Sequence, residues 1–258
     1  MTHTEEETER LNRYLSRAGV GSRRRADQLI AAGRVRLNGT VVEQLATQVR
    51  PGRDVVVLDG KVMTPPASSD IWIVLNKPAG SLTTRRDVRG RPTIFDHLPE
   101  KWRSLIPVGR LDLDTGGAIL LTSNGFDANR LMHPRYQIDR IYEASVDGSP
   151  APSELHALSR GIDLGDPTPA RAEARLIRKG NQTALVRLIL REGRKREVKR
   201  MMEAIGYPVR RLRRLSFAGI TVRGLNPGQW RQLTAAEIHR LRALPDRTDR
   251  TGDSGRGR

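Results

Sequence analysis

The residues best suited to chemistry lie on a glycine-flanked stretch that begins at Gly109. Arg110 and Asp112 stand two residues apart there, and the stretch runs directly into the apolar segment 118–121. A carboxylate on a loop that a buried strand braces is held still and stays accessible to a substrate. Two simpler interpretations remain open. Asp112 can be a turn former that bonds its own backbone, or it can pair with Asp114 as a ligand of a divalent metal.

The charge balance indicates a nucleic-acid partner. The 258 residues include 46 Lys and Arg against 29 Asp and Glu, a net charge of +17. Forty of the 46 basic residues are arginine, whose planar, bidentate guanidinium suits phosphate. A GC-rich genome explains part of the preference for arginine over lysine, but it does not explain the excess of positive over negative charge.

Composition and motifs exclude several other classes. The chain has no cysteine, so it has no disulfide, iron–sulfur cluster or thiolate zinc site. Its five histidines lie far apart without ligand spacing, so we expect no metal site. Neither G-x-G-x-x-G nor G-x-x-x-x-G-K-[ST] occurs, which argues against a nucleotide-cofactor fold. A polar N-terminus without a signal peptide, and apolar runs of only about five residues, predict a soluble, cytoplasmic protein without a membrane span.

Residues 10–62 have the pattern of a compact basic module. Apolar residues recur at helical spacing in two segments, and the second segment follows the capping residue Ser22. An alternating segment then meets the turn signal Asn38-Gly39 and returns, which predicts a β-hairpin. A further strand is expected over 54–58. The length of the whole chain, 258 residues, suits either one large domain or two modest ones.

Three arginines of this module occupy an unusual place. Arg23, Arg24 and Arg25 fall in the first turn of the second helix, where the helix dipole disfavours cations. The placement makes sense if the arginines and the backbone N–H groups together receive a phosphate; a merely solvated charged turn is the alternative. The order of helix, loop, basic helix and hairpin resembles an S4 RNA-binding domain. The resemblance implies that these three arginines, with Arg34 and Arg36, contact RNA.

The rest of the chain predicts a larger second domain. The Pro- and Ser-containing segment 63–69 is typical of a linker, residues 70–245 form the larger domain, and residues 246–258 are expected to be a disordered basic tail. Strands are predicted at 71–75, 118–122, 141–146, 172–177, 183–190, 209–214 and 229–233, and helices at 127–133, 153–160, 195–205 and 235–243. We therefore expect an α+β fold, with a small S4-like RNA-binding domain followed by a mixed, mostly antiparallel β-sheet that helices flank.

The stretch around Asp112 resembles the active-site motif of RsuA-type bacterial ribosomal RNA pseudouridine synthases. Four further segments match that family in the family's order: Asn76-Lys77-Pro78-Ala79-Gly80, Arg140-Ile141-Tyr142, the segment from Glu192 to Met201, and the segment from Gly206 to Leu212. The matches span residues 71 to about 215 behind the S4-like module. The large-subunit branch of the family is the more similar one, which favours 23S over 16S rRNA.

The resemblance implies a set of catalytic residues. The aspartate after Arg-Leu, here Asp112, is catalytic in that family, and Tyr142 becomes the active-site aromatic residue. The basic residue after Glu197-Val198, here Lys199, is expected to pair with the catalytic aspartate. From the residues alone, Tyr142 can instead be a core side chain, and Lys199 can pair with Glu203 one helical turn away.

Three further residues are expected to bind RNA. Arg110 would fill the space that an extruded uridine leaves or bind the RNA backbone. Lys77 and Arg194 are also predicted to contact RNA, and support of the catalytic loop is a second interpretation of Lys77. The target uridine must leave its stack before it can react, at a cost of a few kcal/mol if it is paired.

The implied reaction is an isomerisation. The N1–C1′ bond of uridine breaks, the base turns, and C5 joins C1′, so no redox or group-carrying cofactor is required. A carboxylate near C1′ acts either as a nucleophile or by taking a proton on a glycal path. We expect a monomer that acts on ribosomal RNA or a pre-ribosomal particle. A non-catalytic S4-type ribosome-associated protein, and a metal-dependent nuclease using Asp112 and Asp114, are the competing hypotheses.

Overall fold

The computed structural model describes residues 8–65 and 70–245 and divides the chain into two compact units, Met1–Ser69 and Asp70–Arg258. The tail predicted at 246–258 and most of the linker predicted at 63–69 therefore lie outside the described residues. Within the described part of the chain, no helix is both long and apolar enough to cross a membrane.

The N-terminal unit packs two helices against small antiparallel sheets. Its elements are β1 (Glu9–Arg10), α1 (Leu11–Leu15), α2 (Arg23–Ala31), β2 (Val35–Leu37), β3 (Thr40–Val42), β4 (Gln48–Val49), β5 (Val56–Leu58) and β6 (Lys61–Met63). Four of the strands form a sheet in the order β3-β2-β5-β6, and β1 pairs with β4. The chain continues from α1 as a π-helical turn over Ser16–Val20, in which Gly19 interrupts the helical backbone at φ +94°. Met63, expected in the linker, belongs to the last strand and accepts a hydrogen bond from the Tyr14 hydroxyl.

The larger unit contains one nine-stranded sheet. Its strands are β7 (Trp72–Lys77), β8 (Ile106–Pro107), β9 (Thr115–Thr122), β10 (Arg140–Asp147), β11 (Glu173–Lys179), β12 (Thr183–Leu190), β13 (Val209–Phe217), β14 (Ile220–Thr221) and β15 (Trp230–Gln232). Its helices are α3 (Gly125–Met132), α4 (Pro152–Arg160), α5 (Glu197–Ala204) and α6 (Ala235–Arg242). The main order is β11-β12-β10-β13-β9-β7-β15, and only β13 and β9 run parallel. The predicted α+β class and the mostly antiparallel sheet are confirmed.

Helices cover the sheet because successive residues of a strand point to opposite faces. Alternate residues of β10 and β12 pack with α4 and α5 in one core cluster. Val74 and Leu120 pack with α3 and α6 in a second cluster. Their sequence neighbours Ile73 and Leu121 point the other way, into a third cluster under the segment that leads to β9. The segment before β9 contributes Val108 to the second cluster and Leu111 to the third, so two packed layers hold it.

Gly117 allows β9 to approach β13 closely. It pairs with Arg214 in the parallel register, and its φ is +104°. A Cβ atom at this position would lie 2.1 Å from the carbonyl oxygen of Arg214 and 2.7 Å from its backbone nitrogen. Both the backbone conformation and the lack of space therefore require glycine. The strand that follows the Asp112 loop is consequently fixed against the centre of the sheet.

We predict that Gly117→Ala lowers the free energy of unfolding by about 3 kcal/mol or more, because the methyl group meets backbone atoms that cannot move away. Gly219→Ala is the matched control. Gly219 also has a positive φ, +78°, but its added Cβ would meet nothing within 4 Å, so we expect a loss of about 1 kcal/mol. Urea denaturation measures both values, and equal losses would contradict the close approach.

Candidate active site

Asp112 lies on the loop between β8 and β9 and is half-buried. The backbone turns there, since the amide of Thr115 donates to the carbonyl of Asp112 at 3.1 Å. The turn uses only the main chain of Asp112. Among the residues that the structure describes, the Asp112 carboxylate accepts no hydrogen bond from its own backbone. The side chain is therefore available for another role.

Lys77, at the end of β7, binds the backbone of this loop with its buried ammonium group. Its Nζ donates to the carbonyl oxygens of Thr115 at 2.8 Å, Asp112 at 3.0 Å and Leu113 at 3.2 Å, and to that of Pro78 at 3.2 Å. The residue is only 1% exposed. This geometry favours the second interpretation of Lys77, support of the catalytic loop, over contact with RNA. A lysine that follows a buried strand directly has its stem in the core, so its ammonium reaches loop carbonyls instead of solvent.

Burial lowers the pKa of Lys77 to about 8 from the ordinary 10.5, although Asp114 and Asp112 partly offset the effect. Because the pKa is lower in the folded protein than in the unfolded chain, the charged ammonium makes an unfavourable contribution to stability below about pH 8. That contribution disappears as the pH rises toward 10.5. The buried charge therefore orders the loop at some expense of overall stability, as is common at functional sites.

Two other contacts fix the ends of the loop. The backbone amide of Gly80 donates to Leu113 O at 2.7 Å. The hydroxyl of Thr83 donates to Leu111 O at 3.0 Å and accepts from the Leu111 amide at 3.2 Å. Backbone groups on both sides of Asp112 are thus paired, and the carboxylate is presented from a rigid support.

A cleft of about 920 Å³ opens beside this loop. It brings together Asp112, Tyr142 and Arg110, which sequence analysis had placed in one site. Arg110 is exposed and Tyr142 is half-buried. The lining also carries more cations than anions: Arg110, Arg140, Arg194, Lys195, Arg196 and Arg214 against Asp112, Glu192 and Glu197. A carboxylate and an aromatic ring in a cationic cleft suit an enzyme that acts on a polyanion.

Lys199 does not pair with Asp112. From α5 its Nζ lies 2.5 Å from Oδ2 of Asp114, and this contact lowers the pKa of the Asp114 carboxyl. The expectation that Lys199 bonds the catalytic aspartate is therefore wrong for this structure. The family resemblance implied a pairing of Lys199 with the catalytic aspartate, but a sequence motif cannot distinguish two carboxylates that stand two residues apart. The Asp114 side chain is 68% exposed, and Asp114 is not among the residues that line the cleft.

The guanidinium of Arg194 also forms hydrogen bonds within the protein. Its guanidinium donates to Glu192 at 2.7 Å and to the Thr168 hydroxyl at 2.7 Å, and it lies 3.4 Å from Asp166. Its side chain is 16% exposed. The prediction that Arg194 binds RNA stays a prediction, and the network gives the guanidinium a structural role as well. The guanidinium ties the cleft-lining segment before α5 to the segment before β11.

The predicted RNA-binding residues of the N-terminal unit fall into two groups. Arg34 forms an ion pair with Asp59, and Arg36 donates to Gly39 O at 3.0 Å. Arg23, Arg24 and Arg25 are exposed in the first turn of α2, where the Ser22 hydroxyl caps the Arg25 amide. The second group keeps its guanidinium groups in solvent and is therefore better placed for a partner.

Sequence analysis assigned no role to two cleft residues, Arg140 and Arg214. They are 6% and 2% exposed and line the cleft with Tyr142. Strand periodicity could have indicated their position, because alternate residues of a strand lie on the same face. Arg140 thus shares a face with Tyr142, and Arg214 shares a face with Leu212. In the described ranges, no group of three or more His, Cys, Asp or Glu residues could hold a metal ion.

Comparison with known proteins agrees with this geometry. The model of the RNA pseudouridylate synthase family matches residues 71–204, and the model of the S4 domain matches residues 9–55. The matched region contains Lys77, Asp112, Tyr142 and Lys199. The chain belongs to the RNA pseudouridylate synthase family.

Similar proteins cover almost the whole chain. Ribosomal large subunit pseudouridine synthase B of Bacillus subtilis (strain 168) is 42% identical over 240 residues, 92% of this chain and 97% of that protein. The protein of the same name from Salmonella typhimurium is 39% identical and covers 92% of this chain and 83% of its own length. A crystal structure of a pseudouridylate synthase, 28% identical, superposes with a TM-score of 0.65 over 90% of this chain and 99% of that one.

We predict that Lys77→Met lowers the single-turnover rate on RNA by about a hundredfold, because a loop displaced by about an ångström misplaces the carboxylate. The dissociation constant for RNA should stay within about threefold, since Lys77 is buried and cannot reach the RNA. Rapid-quench kinetics and filter binding give the two values. A variant that loses RNA affinity and reacts normally once saturated would restore Lys77 as an RNA contact.

Proposed function

We propose that this enzyme isomerises a specific uridine of the large-subunit ribosomal RNA to pseudouridine, with Asp112 as its catalytic group. The observation that carries the proposal is the Asp112 carboxylate, held on a loop by Lys77 and presented to a cleft that Tyr142 also lines. The names of the similar enzymes from Bacillus subtilis and Salmonella typhimurium support the large subunit as the substrate. A purely RNA-binding role is not favoured, because the family match covers the domain that holds the cleft.

Asp112 acts at C1′ of the target uridine. The N1–C1′ bond breaks, the detached base turns within the cleft, and C5 bonds to C1′. The hydrogen on C5 leaves as a proton, and N1 takes up a proton. The product has the atoms of the substrate, so the reaction needs no cofactor. An ionised carboxylate serves the nucleophilic route and the proton-abstracting route equally. Tyr142 stacks on the base and assists removal of the C5 proton.

Asp114 is the less suitable of the two carboxylates. Its charge is already paired with Lys199, and its side chain is 68% exposed. Asp112 lines the cleft, and its carboxylate has no ion-pair partner among the residues that the structure describes. The cations around the cleft attract RNA. Lys199 contributes indirectly, since its bond to Asp114 holds one end of the loop against α5.

The N-terminal unit anchors the RNA through Arg23, Arg24 and Arg25. Exposed arginines at a helix N-terminus, together with the backbone amides there, form a phosphate site. We further propose that the enzyme works as a monomer in the cytoplasm, where it meets ribosomal RNA or a pre-ribosomal particle. Because the proposed isomerisation needs no cofactor, activity should persist in EDTA on a minimal unstructured RNA.

The reaction itself tests the proposal. With ribosomal RNA that carries tritium at uridine C5, forming the C5–C1′ bond must release tritium to water while the length of the RNA stays constant. Carbodiimide mapping of the 23S RNA then locates the product. A nuclease would shorten the RNA. A protein that only binds would release nothing, and either result on 23S RNA would overturn the proposal.

We predict that Asp112→Asn lowers tritium release by about four orders of magnitude, the usual scale for loss of a catalytic carboxylate. RNA affinity and thermal stability should be nearly unchanged, because the substitution is isosteric. Asp114→Asn is the matched control, and it should lower the rate by less than about tenfold, since an exposed ion pair contributes little. The reverse order of the two variants would move the catalytic role to Asp114.

We predict that replacing Arg23, Arg24 and Arg25 by Gln weakens RNA binding and reduces the slope of log K against log salt by about 2–3, one unit for each lost phosphate contact. The control replaces Arg175, Arg178 and Lys179 on edge strand β11 by Gln and removes the same charge. Filter binding at several salt concentrations compares the two triple variants. Equal slopes would show that net charge, and not the α2 site, binds the RNA.

A further inference from the structure

Two buried arginines in the cleft have no role in the function proposed above. Arg140 lies on β10, two residues before Tyr142, and Arg214 lies on the neighbouring strand β13. Both side chains are at least nine-tenths buried, and both line the cleft that contains Asp112. Arginine is rarely buried to this extent without a charged partner.

Only some nitrogens of these two guanidinium groups donate hydrogen bonds to the protein. Nε of Arg214 donates to Ala118 O at 2.7 Å, whereas its Nη2 is buried and has no hydrogen-bond partner. Nη1 of Arg140 donates to Ile138 O at 2.8 Å. Both guanidinium carbons lie over the Phe217 ring, at 5.2 Å for Arg140 and 5.0 Å for Arg214. Within the described ranges, neither guanidinium has a carboxylate within 4 Å.

The two cations also repel each other. Burial, together with the charge of Arg214, lowers the pKa of Arg140. The acid that lies deepest in the cleft lining is Glu197, 5% exposed, and burial raises the pKa of its carboxyl. Glu197 therefore compensates the arginine charges poorly. Its Oε2 accepts from the Arg194 amide at 3.0 Å, and its Oε1, which has no hydrogen-bond partner, lies 3.8 Å from Arg194 Nε. Two adjacent buried cations that lack a counter-ion indicate a site for an anion.

Gly193 leaves room beside one of the guanidinium groups. A Cβ atom at Gly193 would lie 3.6 Å from both Nε and Nη2 of Arg140. The backbone of Gly193 does not have a positive φ, so its conformation does not demand glycine. Gly193 also lines the cleft, and because it has no side chain, no Cβ atom covers Nε and Nη2 of Arg140 there.

We propose that Arg140 and Arg214 form a phosphate subsite, which binds a backbone phosphodiester next to the target uridine. The guanidinium fork matches two phosphate oxygens. The 5′ and 3′ phosphates of a nucleotide are attached to the same ribose as C1′, so holding one of them fixes C1′ relative to Asp112. The inference rests on the proposed function for the identity of the substrate. The unpaired guanidinium groups are independent of it.

Nucleotide binding tests the subsite without turnover. Equilibrium dialysis compares tritiated uridine with uridine 5′-monophosphate and uridine 3′-monophosphate on the full-length protein. We expect at least one monophosphate to bind the wild type at least tenfold more tightly than uridine. Arg140→Gln and Arg214→Gln should each reduce that preference at least fivefold and leave the affinity for uridine unchanged. The controls Arg211→Gln and Arg213→Gln, exposed positions of β13 that do not line the cleft, should keep the full preference.

Two results would overturn the subsite: a wild type that does not prefer either monophosphate, or a preference that both cleft variants retain. Circular dichroism melting checks each variant. If Arg214→Gln does not fold, Arg140→Gln and Arg140→Lys decide the question, and the lysine variant should recover part of the preference. Tritium release from 23S RNA is read separately. Release by a wild type without a phosphate preference refutes the subsite alone, and a phosphate preference in a protein that releases no tritium refutes the proposed function alone.

Discussion

The active site depends on one buried ammonium. Lys77 Nζ has three N–H groups, and four carbonyl oxygens lie within hydrogen-bond distance of it. Two of them are on the loop around Asp112 and one is on Thr115, the first residue of β9. Strand β7 carries Lys77 and pairs with β9, into which the loop leads. The ammonium therefore connects the end of one strand to the beginning of its neighbour. A carboxylate on a loop without this support would sample many positions, and few of them would be productive.

The remaining elements fix the two strands that this contact joins. Gly117 lets β9 lie close against β13, so Arg214 reaches Ala118 O and the floor of the cleft. Tyr142 packs against two core clusters at once and is held between them. On the opposite side, α5 supplies Lys199, which pairs with the exposed Asp114 at the far end of the loop. Asp112 is thus the one carboxylate of the loop that is left free to face the cleft.

Much of the architecture follows from local patterns. The predicted strands and helices of the larger unit are all present, with bounds that differ by at most three residues, because period-two and helical patterns report which face is buried. Two-residue strands such as β8 and β14 were missed, since so short a segment has no detectable period. The clustering of Asp112, Tyr142 and Arg110 was foreseen from the family resemblance. The contacts of individual side chains were not foreseen. The sequence pattern could not show that the Lys77 ammonium is buried, that Lys199 pairs with Asp114, or that Arg140 and Arg214 are buried.

The most direct test of this account is the titration of Lys77 itself. The chain has six lysines, so side-chain ¹⁵N resonances can be assigned by single substitutions and followed from pH 6 to 9 alongside the single-turnover rate. The account predicts that Lys77 loses its proton near pH 8, that the protection factors of the Gly80 and Thr115 amides against hydrogen exchange fall over the same range, and that the rate falls with the same midpoint. A Lys77 that stays fully protonated to pH 9, with a rate and protection factors that do not change through pH 8, would contradict it.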